Sequence, residues 1–299
     1  MRFEGIYTPI ITPFMDSGEI DWDMYAEVID WQIENGVAGI IVGGSTGEFY
    51  ALSKEERIQQ FEFAAERINS RVEFMAGVND IRVDECLQIS SAAVDAGAKS
   101  LLVAAPPYSL PSEEELANHV LEIANKTGLP IMLYNYPGRT GVEMGENFLD
   151  IVANNPLIAA IKESSGDYSR LPLLSNNYSS IELAVGGEEQ VLEFAAWGAK
   201  SWVCATANFF PSECVQLMDI LGKQSDFEKG RRLMAAFMPL MKALEQGGKF
   251  LQCVKLGCEQ QGRPSGKVRL PLLPIEDSLR KEMIGVIDNT RSSLHSILN

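Results

Sequence analysis

The sequence is poor in histidine and in long apolar runs. Its 299 residues contain two histidines, His119 and His295, so a histidine-rich metal site cannot be assembled. No apolar run approaches the ~20 residues that span a bilayer, and the N-terminus reaches Pro9 without the apolar segment of a signal peptide. A magnesium or calcium site made of carboxylates alone stays possible, although no EF-hand-like spacing is present. We expect a cytoplasmic protein with no metal, no cofactor and no membrane partner.

Positive charge and paired cysteines are also scarce. Lys and Arg number 25 against 41 Asp and Glu, which gives a net charge of -16. A general acidic surface disfavours nucleic acid as a partner, because nucleic acid is bound by clustered Lys and Arg. The five cysteines form an odd number without C-x-x-C spacing, which indicates reduced thiols. Because the overall charge is negative, an anionic small substrate must be bound by a few local cations.

What the sequence does contain is a regular alternation of short apolar runs and amphipathic segments. Eight runs, from GIYTPIIT near the N-terminus to AKSWVCAT ending at residue 206, are mostly apolar on both faces, as parallel strands covered by helices are. Eight strand-helix units predict an α/β fold, the (β/α)8 TIM barrel. The alternative, a doubly wound sheet, usually has five or six strands, and no helix here opens with G-x-G-x-x-G.

The alternation stops after the eighth strand, where consecutive helical patterns follow. We predict a barrel over residues 1–224 and a C-terminal helical extension over residues 225–299, packed on the barrel. Within the extension, the run GRPSGKVRLPLLPIED predicts an extended connection. A last helix then ends near Leu298.

The stretch IIVGGSTGEFYALSKEER has the G-x-S-x-G pattern around Ser45. In hydrolases this pattern places the serine at a strand-to-helix turn. Here five residues separate Gly47 from the capping box formed by Ser53 and Glu56, which marks the helix start, and neither histidine is placed to complete a triad. Two interpretations remain: a tight turn that glycines permit, or a nest of backbone N–H groups that binds a carboxylate.

A lysine ends the sixth strand, in the run AAIKESSGD. Lys162 can form an ion pair with Glu163 or extend its amine to the surface. It can also have a chemical role, because removal from water favours a neutral amine, and a neutral amine attacks a ketone to form a Schiff base. The carboxyl ends of the strands are where (β/α)8 enzymes build their active sites, so this position favours the chemical role.

Three more side chains follow neighbouring strands. Tyr134 ends the fifth strand and either packs or passes protons. Arg139, in the following turn, is suited to a carboxylate, or is a solvated loop charge. Tyr108, in the run PPYSLP after the fourth strand, is a loop anchor or a further hydroxyl at the rim. With Lys162 and the Ser45 loop, these residues predict a site for a 2-keto acid.

Eight motifs, in order along nearly the whole chain, resemble the pyruvate-dependent class I aldolase family that contains dihydrodipicolinate synthase and N-acetylneuraminate lyase. They are TPF, GGSTGE, AGVND, PPY, LYNYPGRTG, IKESSGD, GGEE and GRPSGKVRLPLLP. The resemblance implies that Lys162 is the Schiff-base lysine, Tyr134 the proton relay, and Ser45 and Tyr108 its hydroxyl partners. It also implies a homotetramer, a dimer of dimers, in which Tyr108 crosses into the neighbouring subunit's site.

The resemblance also implies which residues bind substrate. They are Thr46, Gly47, Arg139, Gly187, Glu188 and Ala205. Thr46 would hold the carboxylate of the keto acid and Arg139 that of an aldehyde partner. The loop with Gly187 and Glu188 would face the distal part of the second substrate, where carboxylates suit hydroxyls or an amine; the alternative is that its acids interact with a helix N-terminus.

The function expected on these grounds is a Schiff-base lyase or synthase of the dihydrodipicolinate synthase type, acting on pyruvate or another 2-keto acid. Two alternatives lie within the same class: a catabolic 2-keto-3-deoxy sugar-acid aldolase or dehydratase, and an enzyme like N-acetylneuraminate lyase. An alternative from another class is a non-catalytic barrel that binds a keto acid.

Overall fold

Eight parallel strands form a closed barrel in the computed structural model, which describes residues 2–298. Each strand pairs with the next along the chain, and the first also pairs with the last. The strands are β1 (Gly5–Pro9), β2 (Gly39–Val42), β3 (Glu73–Gly77), β4 (Ser100–Ala104), β5 (Ile131–Asn135), β6 (Ile158–Glu163), β7 (Glu182–Val185) and β8 (Ser201–Val203). The predicted (β/α)8 barrel is confirmed.

Helices follow each strand and cover the barrel. They are α1 (Trp22–Glu34), α2 (Lys54–Ile68), α3 (Val83–Ala96), α4 (Glu113–Thr127), α5 (Pro137–Thr140), α6 (Glu146–Val152), α7 (Arg170–Asn177), α8 (Val191–Ala196) and α9 (Pro211–Gly222). The capping box at the start of α2 is present, because the Ser53 hydroxyl accepts from the Glu56 N–H and the Glu56 carboxylate accepts from the Ser53 N–H.

The strands are apolar on both faces because each face packs against a different core. Ile41, Met132 and Ala160 point into the barrel, where they pack together. Ile40 and Leu133, one residue away from inward-facing positions, pack against the surrounding helices. This period-two alternation decides which side chains at the strand ends reach the barrel mouth.

The C-terminal extension consists of α10 (Phe227–Gln246), α11 (Phe250–Gln260) and α12 (Asp277–Leu298), with a connecting segment over residues 261–276. Its buried residues belong to the same apolar core as the outer face of the barrel. The division at residues 224 and 225 therefore separates two stretches of sequence with a shared core, and we retain it as a proposal. No helix within residues 2–298 is long and apolar enough to cross a membrane.

Candidate active site

A cavity of about 250 Å3 opens at the carboxyl end of the barrel strands. Most of the side chains and loops predicted to act on substrate line it: Ser45, Thr46, Tyr134, Arg139, Lys162, Gly187, Glu188 and Ala205. Gly47 and Tyr108 do not line the cavity of their own chain. The folded chain thus brings residues from five different strand ends to one place.

Lys162 lies on the inner side of β6 and is 7% exposed. Its strand neighbours are Tyr134 on β5 and Ala184 on β7. The Nζ atom lies 3.9 Å from the centroid of the Tyr134 ring. Among residues 2–298, no carboxylate oxygen lies within the 4 Å of Nζ that an ion pair requires. The amine therefore faces the cavity with an aromatic neighbour and no ion-pair partner.

The alternative interpretation of Lys162, an ion pair with Glu163, is wrong. Glu163 lies on the opposite face of β6 and is 1% exposed. Its carboxylate accepts hydrogen bonds from Arg170 Nε at 2.6 Å, from Asn135 Nδ2 at 2.9 Å and from the Ser165 N–H at 2.7 Å. Because Glu163 is satisfied on the outer face, the neighbouring lysine keeps its amine free on the inner face.

The Gly43–Gly47 loop after β2 turns back on itself. Gly43 has a left-handed φ of 74°, and the Gly47 N–H donates to the Gly44 carbonyl at 3.0 Å. Within the part of the chain that the structure describes, the N–H groups of Ser45 and Thr46 have no protein acceptor. With two hydroxyls beside them, these N–H groups can hold a carboxylate next to Lys162. The carbonyl of Gly47 accepts the Thr12 hydroxyl at 2.7 Å, which ties the turn to the segment that follows β1.

A serine hydrolase does not fit this loop. The chain continues from Ser45 into a 3₁₀ turn at Phe49–Ala51, and α2 begins only at Lys54, so the strained strand-to-helix elbow is absent from this described stretch. His119 lies on α4, with its Nε2 atom 4.0 Å from Cys86 Sγ, and it does not line the cavity. His295, on α12, does not line it either, so within residues 2–298 no histidine shares the cavity with Ser45.

Arg139 lies at the mouth of the cavity on α5. Its guanidinium group is 5.5 Å from the centroid of the Tyr136 ring, and that ring is 5.9 Å from the ring of Tyr134. Partial burial opposes the positive charge, but the hydrogen bond to Tyr136 and the nearby phenols raise the pKa of Arg139 above its ordinary value. A permanent cation at the mouth suits the carboxylate of an entering molecule.

Glu188 lines the cavity, but its carboxylate already has partners. It is 2% exposed and accepts from the Ala205 N–H at 2.6 Å and the Thr206 N–H at 3.4 Å. Burial raises the pKa of Glu188, while the charge of Lys162 acts in the opposite direction. Because both contacts are to the loop after β8, the Glu188 carboxylate is better suited to fixing that loop than to binding a ligand through both oxygens.

Sequence reasoning missed the part of the cavity that the C-terminal extension supplies. Leu244 and Glu245 at the end of α10, Phe250 and Gln252 on α11, and Leu272 of the connecting segment all line it. Burial, followed by the charges of the acids at 188 and 189, raises the pKa of Glu245 to about 7. The helical periodicity of α10 and α11 shows which face is apolar, but nothing in it indicates that this end covers a barrel mouth.

Tyr136 and Ser164 also line the cavity and were missed, although Tyr136 directly follows β5 and Ser164 directly follows β6. Their positions at the carboxyl end of β5 and β6 were the available signal. Tyr108, in contrast, was predicted and lies outside: it is 93% exposed with a φ of 73°. Its role as a residue that crosses into a neighbouring subunit stays a prediction.

Comparison with known proteins agrees with this geometry. The sequence model of the Dihydrodipicolinate synthetase family matches residues 2–290. The 4-hydroxy-tetrahydrodipicolinate synthase of Methanocaldococcus jannaschii is 34% identical over 290 residues, which cover 95% of this chain and 98% of that protein. The enzyme of the same name from Thermodesulfovibrio yellowstonii is 32% identical and covers 95% of this chain and 97% of its own.

Solved structures are similar over the same length. The 4-hydroxy-tetrahydrodipicolinate synthase of Methylacidiphilum fumariolicum superposes with a TM-score of 0.93 at 29% identity, covering 99% of this chain and 98% of that one. The dihydrodipicolinate synthase of Acinetobacter baumannii, solved in complex with pyruvate, has a TM-score of 0.90 at 28% identity and covers 97% and 99%. The chain therefore belongs to the dihydrodipicolinate synthetase family, whose members are class I aldolase-type lyases.

Proposed function

We propose that this protein is a 4-hydroxy-tetrahydrodipicolinate synthase, which joins pyruvate to an aldehyde through a Schiff base on Lys162. The observation that carries the proposal is the buried Lys162 amine at the barrel mouth, which has no ion-pair partner among residues 2–298. Ser45 and Thr46, whose N–H groups have no acceptor in the same range, line the same cavity. The names of the relatives support the choice of reaction within the family.

The first stage is formation of the imine. The neutral Lys162 amine adds to the keto carbon of pyruvate, and the carbinolamine then loses water to leave a protonated imine. The pyruvate carboxylate rests on the N–H groups of Ser45 and Thr46, which fixes the keto carbon within reach of Nζ. Tyr134 is the neighbour of Lys162 in the sheet, and its phenol passes the protons that these steps require.

The second stage is formation of the carbon–carbon bond. The protonated imine withdraws electrons, so the methyl group loses a proton and an enamine forms. Its terminal carbon adds to the aldehyde carbon, and the aldehyde oxygen takes up a proton. The dicarboxylate product contains the pyruvate carbons plus those of an amino aldehyde that carries one carboxylate. Arg139 lines the cavity, and its guanidinium group holds that carboxylate. The amino group of the added aldehyde then attacks the imine carbon, which closes the ring and breaks the bond to Nζ, so that the product leaves and the Lys162 amine is regenerated.

A second candidate is a 2-keto-3-deoxy sugar-acid aldolase or dehydratase. The observation that favours it is Glu245 of the extension, an acid that lines the cavity. Carboxylates there accept hydrogen bonds from sugar hydroxyls and repel a second carboxylate. The imine chemistry at Lys162 is common to both candidates, so the partner of the enamine distinguishes them.

The test is borohydride trapping followed by intact-mass spectrometry. Pyruvate should leave a reduced adduct on the wild type and none on Lys162→Ala. Lys200→Ala is the matched control, because that lysine is exposed and far from the cavity lining, and it should trap like the wild type. A folded wild-type protein that traps nothing would favour the non-catalytic barrel.

Turnover assays then separate the two candidates. The synthase should consume pyruvate only together with the amino aldehyde. The sugar-acid enzyme should instead release pyruvate, or a dehydrated keto acid, from 2-keto-3-deoxy sugar acids. Turnover that survives Lys162→Ala contradicts both candidates.

A further inference from the structure

The loop that carries the Ser45 and Thr46 N–H groups is held from outside the barrel by the C-terminal extension. Glu48, at the end of this loop, has a left-handed φ of 60° and is completely buried. One carboxylate oxygen lies 2.8 Å from Lys255 Nζ on α11. The other accepts the backbone N–H of Arg269, in the connecting segment, at 3.0 Å. Both oxygens of one barrel residue are thus bound by the extension.

Lys255 joins the same loop to the end of β1. Its ammonium group, 4% exposed, also donates to the carbonyl of Thr12 at 2.8 Å and to that of Lys267. The Thr12 hydroxyl in turn donates to the Gly47 carbonyl and accepts from Gln60 Nε2, at 2.7 and 2.8 Å. The ammonium therefore reaches the loop by two routes, directly through Glu48 and indirectly through Thr12.

Arg269 attaches the connecting segment to the next part of the same loop. Its guanidinium group donates to the carbonyl of Ala51 at 2.9 Å and to that of Gly18 at 2.8 Å, and it pairs with Glu56 at the start of α2. The residues that follow Ser45 and Thr46, from Gly47 to Ala51, are consequently held by contacts with Thr12, Lys255 and Arg269. The N–H groups of Ser45 and Thr46 themselves are left available.

A buried ion pair is an expensive way to attach an extension. Removing both charges from water costs several kcal/mol each in general, and apolar side chains of the same volume often serve stability equally well. The extension already shares the apolar core of the barrel. Buried charges that add little stability are explained when they fix one geometry, as a single buried polar residue fixes the register of a coiled coil.

We propose that Glu48, Lys255 and the Arg269 backbone form a clamp through which the C-terminal extension positions the Ser45 and Thr46 N–H groups for the substrate carboxylate. The inference rests on the proposed function, since it needs a carboxylate to bind beside Lys162. Among the described residues, the clamp residues are not part of the cavity lining, so they are positioning residues that act through the loop. The extension then serves carboxylate recognition as well as closing the cavity.

The test compares two keto compounds that differ in the carboxylate. Pyruvate has the carboxylate, and methyl pyruvate has a neutral ester in its place, so the ratio of their borohydride trapping rates reports carboxylate recognition. In Lys255→Met we expect this ratio to fall by about 10- to 100-fold, because a loop displaced by about an ångström loses alignment of that order. Trapping of methyl pyruvate should change less than about threefold.

Two further variants separate positioning from stability. Lys255→Met leaves the Glu48 charge buried without its partner, so its melting temperature should fall. The double variant Glu48→Gln/Lys255→Met removes both charges and should recover most of that stability while keeping the low ratio. Leu294→Ala, in the α12 core and away from the clamp, should lower the melting temperature and keep the wild-type ratio.

The outcomes distinguish the clamp from the proposed function. A wild-type protein that traps no pyruvate refutes the proposed function, and the clamp with it. If the wild type traps pyruvate and the folded double variant keeps the wild-type ratio, the clamp alone is overturned. If Leu294→Ala lowers the ratio as much as the double variant does, the effect follows stability and the clamp is again overturned.

Discussion

Gly77 packs against the backbone of the Gly43–Gly47 loop, and its replacement by alanine is a direct test of how tightly that loop must be held. Gly77 ends β3 beside the Gly43–Gly47 loop. A Cβ atom at this position would lie 2.6 Å from the Gly43 carbonyl oxygen, 2.8 Å from its carbonyl carbon and 3.0 Å from the Gly44 nitrogen. All three are backbone atoms, so no side-chain rotation relieves the contact.

The size of the effect follows from this geometry. Ordinary van der Waals contact begins at 3.4 Å, so the loop and the strand must separate by about 0.8 Å to accept the methyl group. Overpacking of this kind typically costs about 1–3 kcal/mol of stability. A similar displacement of groups that orient a substrate costs roughly 10- to 100-fold in kcat/KM, or about 1.4–2.7 kcal/mol of transition-state stabilisation.

The assay measures kcat/KM for pyruvate together with the free energy of unfolding in urea. Gly285→Ala is the control, because Gly285 lies in α12 with nothing within 4 Å of its Cβ position. That substitution should stabilise the helix by about 0.5–1 kcal/mol and leave activity unchanged. Gly77→Ala protein that is folded and retains wild-type kcat/KM would refute the reasoning, since the loop would then tolerate displacement.

Three other substitutions test the rest of the cavity. Arg139→Ala should lower kcat/KM for a carboxylate-bearing aldehyde by about 10- to 100-fold, the loss of a charge-assisted hydrogen bond, and leave pyruvate trapping intact; loss of trapping would contradict this role. The Glu245 carboxyl, with a pKa of about 7, becomes anionic near Arg139 as pH rises, so the KM for that aldehyde should increase through neutral pH in the wild type and stay flat in Glu245→Gln. Burial raises the pKa of Glu188 above its usual 4.5. The free energy of unfolding in urea should therefore fall as pH rises from 4.5 toward the raised pKa, because the folded state holds its proton longer than the unfolded state does. In Glu188→Gln, this part of the pH dependence of the unfolding free energy should be absent.

The strands, the helix starts and the cavity residues near strand ends could be predicted because each depends on local sequence. Lys162 directly follows an apolar run, and the capping box at Ser53 marks where α2 begins. Barrel topology then places all strand ends at one mouth. Lys162, Tyr134 and Ser45 could therefore be expected at the same end of the barrel, and all three line the cavity.

The contribution of the extension could not be predicted in this way. The Lys255–Thr12 and Arg269–Glu48 hydrogen bonds join residues 243 and 221 positions apart. Such contacts depend on the path that α10 and α11 take over the barrel, and helical periodicity gives only the buried face of each helix. Glu245 lines the cavity because the end of α10 lies over the barrel mouth, and the periodicity of α10 does not show this position either.

The orientation of Lys162 itself depends on an irregularity that no simple pattern shows. Ile158 packs outward, and strict alternation along β6 from this residue would turn Lys162 outward and Glu163 into the barrel. The pairing with β5 instead shifts register at Ile131 and Met132, so that Ala160 points inward. Beyond the shift, Lys162 faces the cavity and Glu163 meets Arg170 outside. A one-residue irregularity in β6 thus decides which of two adjacent charged residues enters the active site, which is a known use of bulges next to catalytic groups.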